Sequence, residues 1–570
     1  MQTISPDSVA SPELQLQKAA LQKTGRLRAS LLLLLNIAAA GLLVSLAVQT
    51  MHTPLTFDDA FMFYRYAVHL RQGLGISWNL DGVHTGGMTS LGWFLAVIPL
   101  SLLPLGNGQA LAMGSLAVGA ASLAGLAFAI ARLATHAALR RFWLVFPVLT
   151  LLLVLNASFR ANMVTGMDTM LSFAADALLS CAVWAWCARA DKTARWAVLV
   201  GVCGACAVMV RPENGLLAVL VPAIACVLLI DRQRRGEVVW IVSTMGAILM
   251  VYEGWYRSYF HAWLPLSFYM KAQHPYRGYT GGYKWSPAHY LVDFGVLAAP
   301  VLAYPLVCVQ RRSLKVALAY LLPVALTFGY LGTVMQIMGT GARFYVPFAA
   351  PVVVAAVWMA DLSLKRRVSR ARLGRAAAGV AVLLPLAAVY YHLWWWRHPV
   401  VDAYAAPTLL TPAAGPLPLR PWFGMISALA NEVVRPLPQG SVIAASEVGL
   451  VGAAAPHVDV IDLAGLNDNE IALGGFRMDR VLERKPLLIW FPHEDYTWQR
   501  QAMFCSPGLL ANYTVLGGNA FNYSLAVRRD TAESALLLQR VDRVFQQMYP
   551  GASMRDYVVS SIACAGVQLE

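Results

Sequence analysis

Between residues 30 and 396 the chain alternates apolar runs with short clusters of Lys and Arg, and that alternation leaves few folds open. Several of the runs approach the ~20 residues that cross a hydrocarbon layer about 30 Å thick. Inside such a layer every backbone N–H and C=O must be satisfied within the chain, so repeated runs of this kind fold as a bundle of helices. The composition agrees, with 58% hydrophobic and 13% charged residues in 570, where soluble domains carry about 25% charged. A soluble multidomain chain, a disordered chain, collagen and a small disulfide scaffold are all excluded.

The net charge of +14 raises the question of a nucleic-acid partner, and its distribution answers no. From Arg397 onward there are 13 Lys and Arg against 16 Asp and Glu, so the excess lies entirely in the first 396 residues. There it falls in clusters between apolar runs: Lys18 to Arg28, Arg140-Arg141, Lys192 to Arg195, Arg232 to Arg235, Arg311 to Lys315 and Lys365 to Arg375. Basic clusters of this kind fix topology by facing the cytoplasm. With that orientation, spans fall at about 30–47, 109–133, 142–157, 170–188, 196–210, 214–230, 237–256, 289–309, 315–334, 344–360 and 376–396. The fold expected is a polytopic α-helical membrane protein of about eleven spans, N-terminus inside and C-terminus outside.

Residues 91–105, with Pro99 and Pro104, are apolar but short. A full span there would turn every later basic cluster outward, so the segment reads as re-entrant or interfacial. Residues 1–29 form a cytoplasmic tail, in which Glu13 to Lys23 is either a short surface helix or frayed. The transmembrane region at 30–397 carries a long outer loop at 49–90 and ends in Trp394-Trp395-Trp396-Arg397, as at an interfacial belt. A Pro-rich linker at 398–421 leads to a mixed α/β periplasmic domain at 422–570. There PLPQGSVIAASEVGLVG and VDVIDLAGLND read as short strands followed by turns, KPLLIWF and NYSLAVRR read as further strands, and SALLLQRVDRVFQQM has a helical period. Of the eight cysteines only Cys505 and Cys564 fall in this domain, and an oxidising compartment would let them pair.

The unusual polar residues share one membrane face. They are Asp58-Asp59 with Arg65 in DDAFMFYRYA, Asp168 in TGMDT, Arg211 and Glu213 in RPEN, Tyr269 and Lys271 in LPLSFYMK, and Arg343 in GTGARF. Ionisable groups at membrane depth are costly and point to function, and five islands on one face suggest one cavity. Phe61, Tyr64 and Val68 recur at helical spacing, which predicts a helix lying along the outer interface with the two acids at its start. Adjacent helical residues point ~100° apart, so the two carboxylates do different jobs. Carboxylates beside cations suit sugar transfer from a lipid phosphate: a base takes the acceptor hydroxyl's proton, and positive charge holds the departing phosphate.

The ordered set DDAFMFYRYA, TGMDT, RPEN, LPLSFYMK and GTGARF, with SEVGLVGAAAPHVDVIDLAGLNDNEIA, resembles the GT-C superfamily of polyprenyl-phosphate-dependent membrane glycosyltransferases. Within it the chain is most similar to bacterial arabinofuranosyltransferases, the mycobacterial terminal β-(1→2) enzymes and the pilin arabinosyltransferases of pseudomonads. The resemblance spans about residues 56–475. It implies a polyprenyl-phosphate-linked furanosyl pentose as donor, a periplasmic glycan or glycoprotein hydroxyl as acceptor, and the bacterial inner membrane as location. It also implies a catalytic base at Asp58 or Asp59, and donor or substrate contacts from Arg65, Asp168, Arg211, Glu213, Tyr269, Lys271 and Arg343. The family's TGMET, RPEG and LPNTFYAK stand here as TGMDT, RPEN and LPLSFYMK. The acid that often flanks the Gly-Arg motif is missing beside Arg343, which weakens a metal site there; no cofactor is demanded, and a divalent metal stays open. The alternatives are a transferase of the same architecture for another lipid-linked sugar, such as mannose or aminoarabinose, a lipid-linked sugar transporter or flippase, and a non-catalytic scaffold.

Overall fold

A computed structural model of the chain describes residues 12–54, 56–189, 194–271, 311–333, 340–364, 410–412, 422–493, 496–517, 524–562 and 564. Among these residues, seven helices are long and apolar enough to cross a membrane: Leu27–His52, Asn107–Leu133, Thr169–Ala188, Pro212–Leu229, Arg232–Phe260, Arg311–Gly332 and Val346–Leu364. Phe142–Val154 and Arg195–Val210 are shorter apolar helices in the same bundle. The spans expected at 289–309 and 376–396 lie outside the described residues. The first helix runs unbroken from Pro12 to His52. The surface helix and the first span are therefore one piece, since no proline stands between Pro12 and Pro54.

Thr169–Ala188 is the central helix of the bundle. Its 20 residues reach about 30 Å, and it is buried along nearly its whole length by Leu123, Phe159, Val200, Tyr320, Val352 and their neighbours. Leu91–Leu100 is a ten-residue helix of about 15 Å, half a membrane thickness. It ends in a turn, and the chain re-enters at Asn107 as a 27-residue helix. A helix of that length is too short to cross the hydrocarbon layer by itself.

The C-terminal part is α/β. Five strands lie in the spatial order Asp459–Asp462, Val442–Ala445, Leu488–Trp490, Leu525–Arg528, Tyr513–Leu516. The first three are mutually parallel and the last two pair antiparallel. The expected helix is Ser534–Met548, which buries Leu537, Val541, Val544 and Phe545. Within the stretch read as a linker, Leu410–Pro412 pairs antiparallel with Val559–Ile562. Cys505 and Cys564 are joined by a disulfide across a sequence separation of 59 residues. By loop-closure entropy this link contributes about 4 kcal/mol. Cys505→Ser together with Cys564→Ser, or reduction, is expected to lower the thermal midpoint of the outer domain, read by differential scanning fluorimetry.

The outer loop does not lie on the membrane surface as its aromatic stripe suggested. In the Asp58–Arg71 helix the eight consecutive residues from Ala60 to Ala67 are all buried, which over two turns leaves no face for lipid or water. The bundle covers one side and the short helix Gly449–Ala454 with the C-terminal sheet covers the other. Just beyond it, Asn79 Oδ1 accepts from Val460 N (2.8 Å), Leu80 N donates to Asp459 Oδ1 (2.8 Å), and Trp78 Nε1 donates to Val460 O (2.9 Å). The loop thereby covers the free edge of Asp459–Asp462, which would otherwise be an unpaired strand edge. One continuous apolar core runs from Phe61 and Trp93 through Tyr256 to Ile443 and Leu488.

Candidate active site

The site is built from short polar turns at helix ends. Phe57 N donates to Thr165 O (3.0 Å), which seats the start of the outer-loop helix on the TGMDT turn. That turn needs Gly166: its φ is +73°, and a Cβ there would stand 2.9 Å from Leu111 Cβ and Thr56 Cγ2. Asp58 and Asp59 occupy the first helical turn, where the helix dipole favours carboxylates, and they diverge. Asp58 turns to the outer domain and accepts from Gly449 N through Oδ2 and Leu450 N through Oδ1, each at 2.8 Å. Asp59 turns to the bundle, where Arg343 Nη2 donates to its Oδ2 (3.0 Å).

Asp168 and Arg211 form a two-pronged pair, Nε to Oδ2 at 3.1 Å and Nη2 to Oδ1 at 2.9 Å. The third arm of Arg211 donates to the Arg343 carbonyl (3.0 Å). Asn214 ties the same turn to the central helix through Ser172 Oγ (2.9 Å) and to the Arg195–Val210 helix through Ala207 O (3.1 Å). Arg343 itself is 6% exposed, and its Nε and Nη1 have no hydrogen-bond partner among the described residues. Leaving a buried charged donor unsatisfied costs more than a typical hydrogen bond gains, so these two nitrogens point to an anionic ligand.

These residues enclose a cavity of about 120 Å³, which is lined by Asp58, Asp59, Asp168, Arg211, Glu213 and Arg343. That is room for on the order of ten waters. Six groups named from sequence alone as a single cavity do meet, from four separate stretches of chain. The roof was missed. Ser446 and Glu447, Ala464 and Leu466, and His493 and Tyr496 close the cavity from the outer domain. Each pair follows one of the three parallel strands, so the cavity lies off their carboxyl ends, where open α/β sheets bind ligands. The signal was in the sequence as SEV and PHE directly after strand-like runs. Burial, with Asp58 and Asp59 nearby, pushes the Glu447 carboxyl well above the usual carboxylate range. Burial also pushes Asp58 up to about 6, against the pull of its two backbone donors.

Two expected contacts fall elsewhere. Arg65 does not reach the cavity. It is fully buried and donates to four backbone carbonyls: Trp78 (2.7 Å), Gly452 (2.9 Å), Ala455 (3.1 Å) and Val458 (2.7 Å). With only neutral acceptors in contact, burial lowers its pKa to about 9, and its job is to fasten the outer domain. The Tyr269 hydroxyl accepts from Trp263 N (3.3 Å) and does not line the cavity, although Ser267 on the same short helix does. The Lys271 side chain lies outside the described residues. Among the described residues, no cluster of three His, Cys, Asp or Glu could hold a metal ion.

No family model matches the chain, and no curated protein matches it by sequence. Solved structures do. The crystal structure of ArnT from Cupriavidus metallidurans in the apo state matches with a TM-score of 0.50 at 14% identity, covering 88% of this chain and 98% of that one. The fold is GT-C. ArnT bound to undecaprenyl phosphate matches with the same TM-score at 13% identity, over 87% and 98% of the two chains. The apo oligosaccharyltransferase of Archaeoglobus fulgidus gives 0.45 at 12% identity, over 88% and 75%. The ArnT match takes in both the helical bundle and the C-terminal α/β region, the architecture expected from the sequence.

Proposed function

We propose that the chain is a membrane glycosyltransferase that moves a furanosyl pentose, arabinofuranose, from a polyprenyl-phosphate donor to a hydroxyl of a periplasmic glycan or glycoprotein. The observation that carries this is Arg343, buried beside the Asp59 carboxylate with two guanidinium nitrogens left for an anion among the described residues. A GT-C neighbour bound to undecaprenyl phosphate supports the donor class; the ordered motifs from Asp58 to Arg343 support the pentose. The basic clusters between spans and the Cys505–Cys564 disulfide support an inner membrane with the outer domain in the periplasm.

The two acids divide the chemistry. Asp58 is the base: its pKa near 6 suits proton transfer near neutral pH, and each oxygen keeps a lone pair beyond the backbone donor it already accepts. It takes the acceptor proton as the acceptor oxygen bonds to the anomeric carbon. The bond from that carbon to the phosphate oxygen breaks, and polyprenyl phosphate leaves with the electron pair. Arg343 holds the charge that develops there, aimed by Asp59 on one side and by the Asp168–Arg211 pair, through its own carbonyl, on the other. Glu447, whose carboxyl burial holds well above the usual range, faces the same cavity and can meet a sugar hydroxyl.

Arg343→Gln is expected to lower kcat/KM for the lipid donor by about 10²–10³-fold and leave acceptor KM within a few-fold. The assay is release of polyprenyl phosphate from a radiolabelled polyprenyl-phosphoryl arabinofuranose, with mannose and aminoarabinose donors in parallel. Unchanged donor kinetics in the Gln variant would remove the phosphate role, and turnover of another donor in preference would remove the pentose assignment.

A further inference from the structure

We propose that the end of the bundle opposite the acidic cavity carries a binding site for the phosphate-bearing headgroup of an anionic membrane lipid. The central helix relates the two places. Asp168 precedes its first residue, Thr169, and Arg189 follows its last, Ala188, so the sites are about 30 Å apart, one hydrocarbon thickness. At the far end Arg189, the turn after Leu229 and the first turn of Arg311–Thr333 enclose a cavity of about 620 Å³.

Its charge is one-sided. Arg189, Arg311, Arg312 and Lys315 all line it and all are exposed, while Asp231 is the acid in the lining. Arg234 also lines it, but its guanidinium is committed to Glu237 and to the carbonyls of Trp186 and Arg189; it braces the wall. Basic residues that only set topology need no concavity. Here cations from two separate helix ends converge on one hollow, where their mutual repulsion calls for an anion. Arginines match phosphate oxygens two-pronged, and the lysine adds a point charge.

The walls choose the source of that phosphate. Leu228 and Leu229 line the cavity beside the cations. The adjoining helix faces carry Val227, Leu314 and Leu318 at 61%, 52% and 44% exposure, as lipid-facing side chains do. The hollow therefore opens along acyl chains as well as toward water. Basic pockets between spans on this side of a membrane are suited to anionic headgroups, whereas a soluble phosphate would gain nothing from the leucines.

The test uses the full-length protein, delipidated in neutral detergent. Phosphatidylglycerol is expected to raise the unfolding midpoint of the wild type by about 2–4 °C; phosphatidylcholine and millimolar inorganic phosphate are expected to leave it in place. Arg311→Gln/Arg312→Gln/Lys315→Gln is expected to lose at least half of the shift, and the control Arg140→Gln/Arg141→Gln to keep it. Should the triple variant fail to fold, native mass spectrometry of Lys315→Gln replaces it, with bound phosphatidylglycerol expected to fall at least two-fold below wild type. An equal shift in the triple variant, equal lipid occupancy in Lys315→Gln, or no shift in the wild type overturns the site. Inorganic phosphate reproducing the full shift overturns the lipid as its occupant.

Discussion

Asp58→Asn is expected to lower kcat by about 10²–10⁴-fold, the contribution of a positioned base, in a protein that still inserts and elutes as wild type does. The sign of the pH dependence follows from the buried carboxyl. With its pKa raised to about 6, Asp58 is protonated and idle at pH 5 and ionised at pH 7. Wild-type kcat/KM is therefore expected to climb about tenfold per pH unit below 6 and level off above it. The residual activity of Asp58→Asn loses that limb. Asp59→Asn keeps it, because Asp59 aims Arg343 through the 3.0 Å ion pair; its loss appears mainly as a higher donor KM. A limb that persists unchanged in Asp58→Asn, or full activity in that variant, would take the carboxylate out of the chemistry.

Gly449→Ala is the second large effect, and it acts through docking. A Cβ at Gly449 would lie 1.8 Å from the Asp58 carbonyl oxygen and 2.6 Å from its carbon. Backbone cannot yield as a flexible side chain does, so the outer domain must shift as a unit. The Gly449 and Leu450 N–H groups then lose Asp58, and the cavity loses its roof. Transfer is expected to fall by at least 10²-fold, since displacements of about 1 Å cost that much in a positioned site. Limited proteolysis is expected to cut the outer loop faster while the bundle stays intact. Gly424→Ala, where nothing lies within 4 Å, is the matched control and is expected to be neutral. Wild-type activity in Gly449→Ala would show that the seam between Asp58 and the outer domain is not part of the site.

Both effects arise at a seam the sequence only half discloses. The bundle was legible because apolar length and basic clusters are strong, local signals. Four strands of the C-terminal sheet were legible as short apolar runs, while Tyr513–Leu516 was not read. The meeting of Asp58, Asp59, Asp168, Arg211, Glu213 and Arg343 followed from topology alone, since each falls at the same end of its span. What stayed hidden depends on contacts between segments nearly 400 residues apart. The Phe61, Tyr64 and Val68 stripe marks one buried face of the outer-loop helix, and nothing in its period reveals that the sheet buries the other. Arg65 beside two acids reads as a ligand contact; only the carbonyls of Gly452, Ala455 and Val458, far along the chain, make it a fastener. Glu447 and His493 were within reach of a simpler rule, since both follow parallel strands at the edge where such sheets bind ligands.

The most direct test is a cryo-EM structure of the full-length protein with a polyprenyl phosphate bound. The account predicts phosphate density within about 3 Å of the Arg343 guanidinium, between Asp59 and the roof at Glu447. Phosphate density absent from that cavity and found instead among Arg311, Arg312 and Lys315 at the opposite end would contradict it.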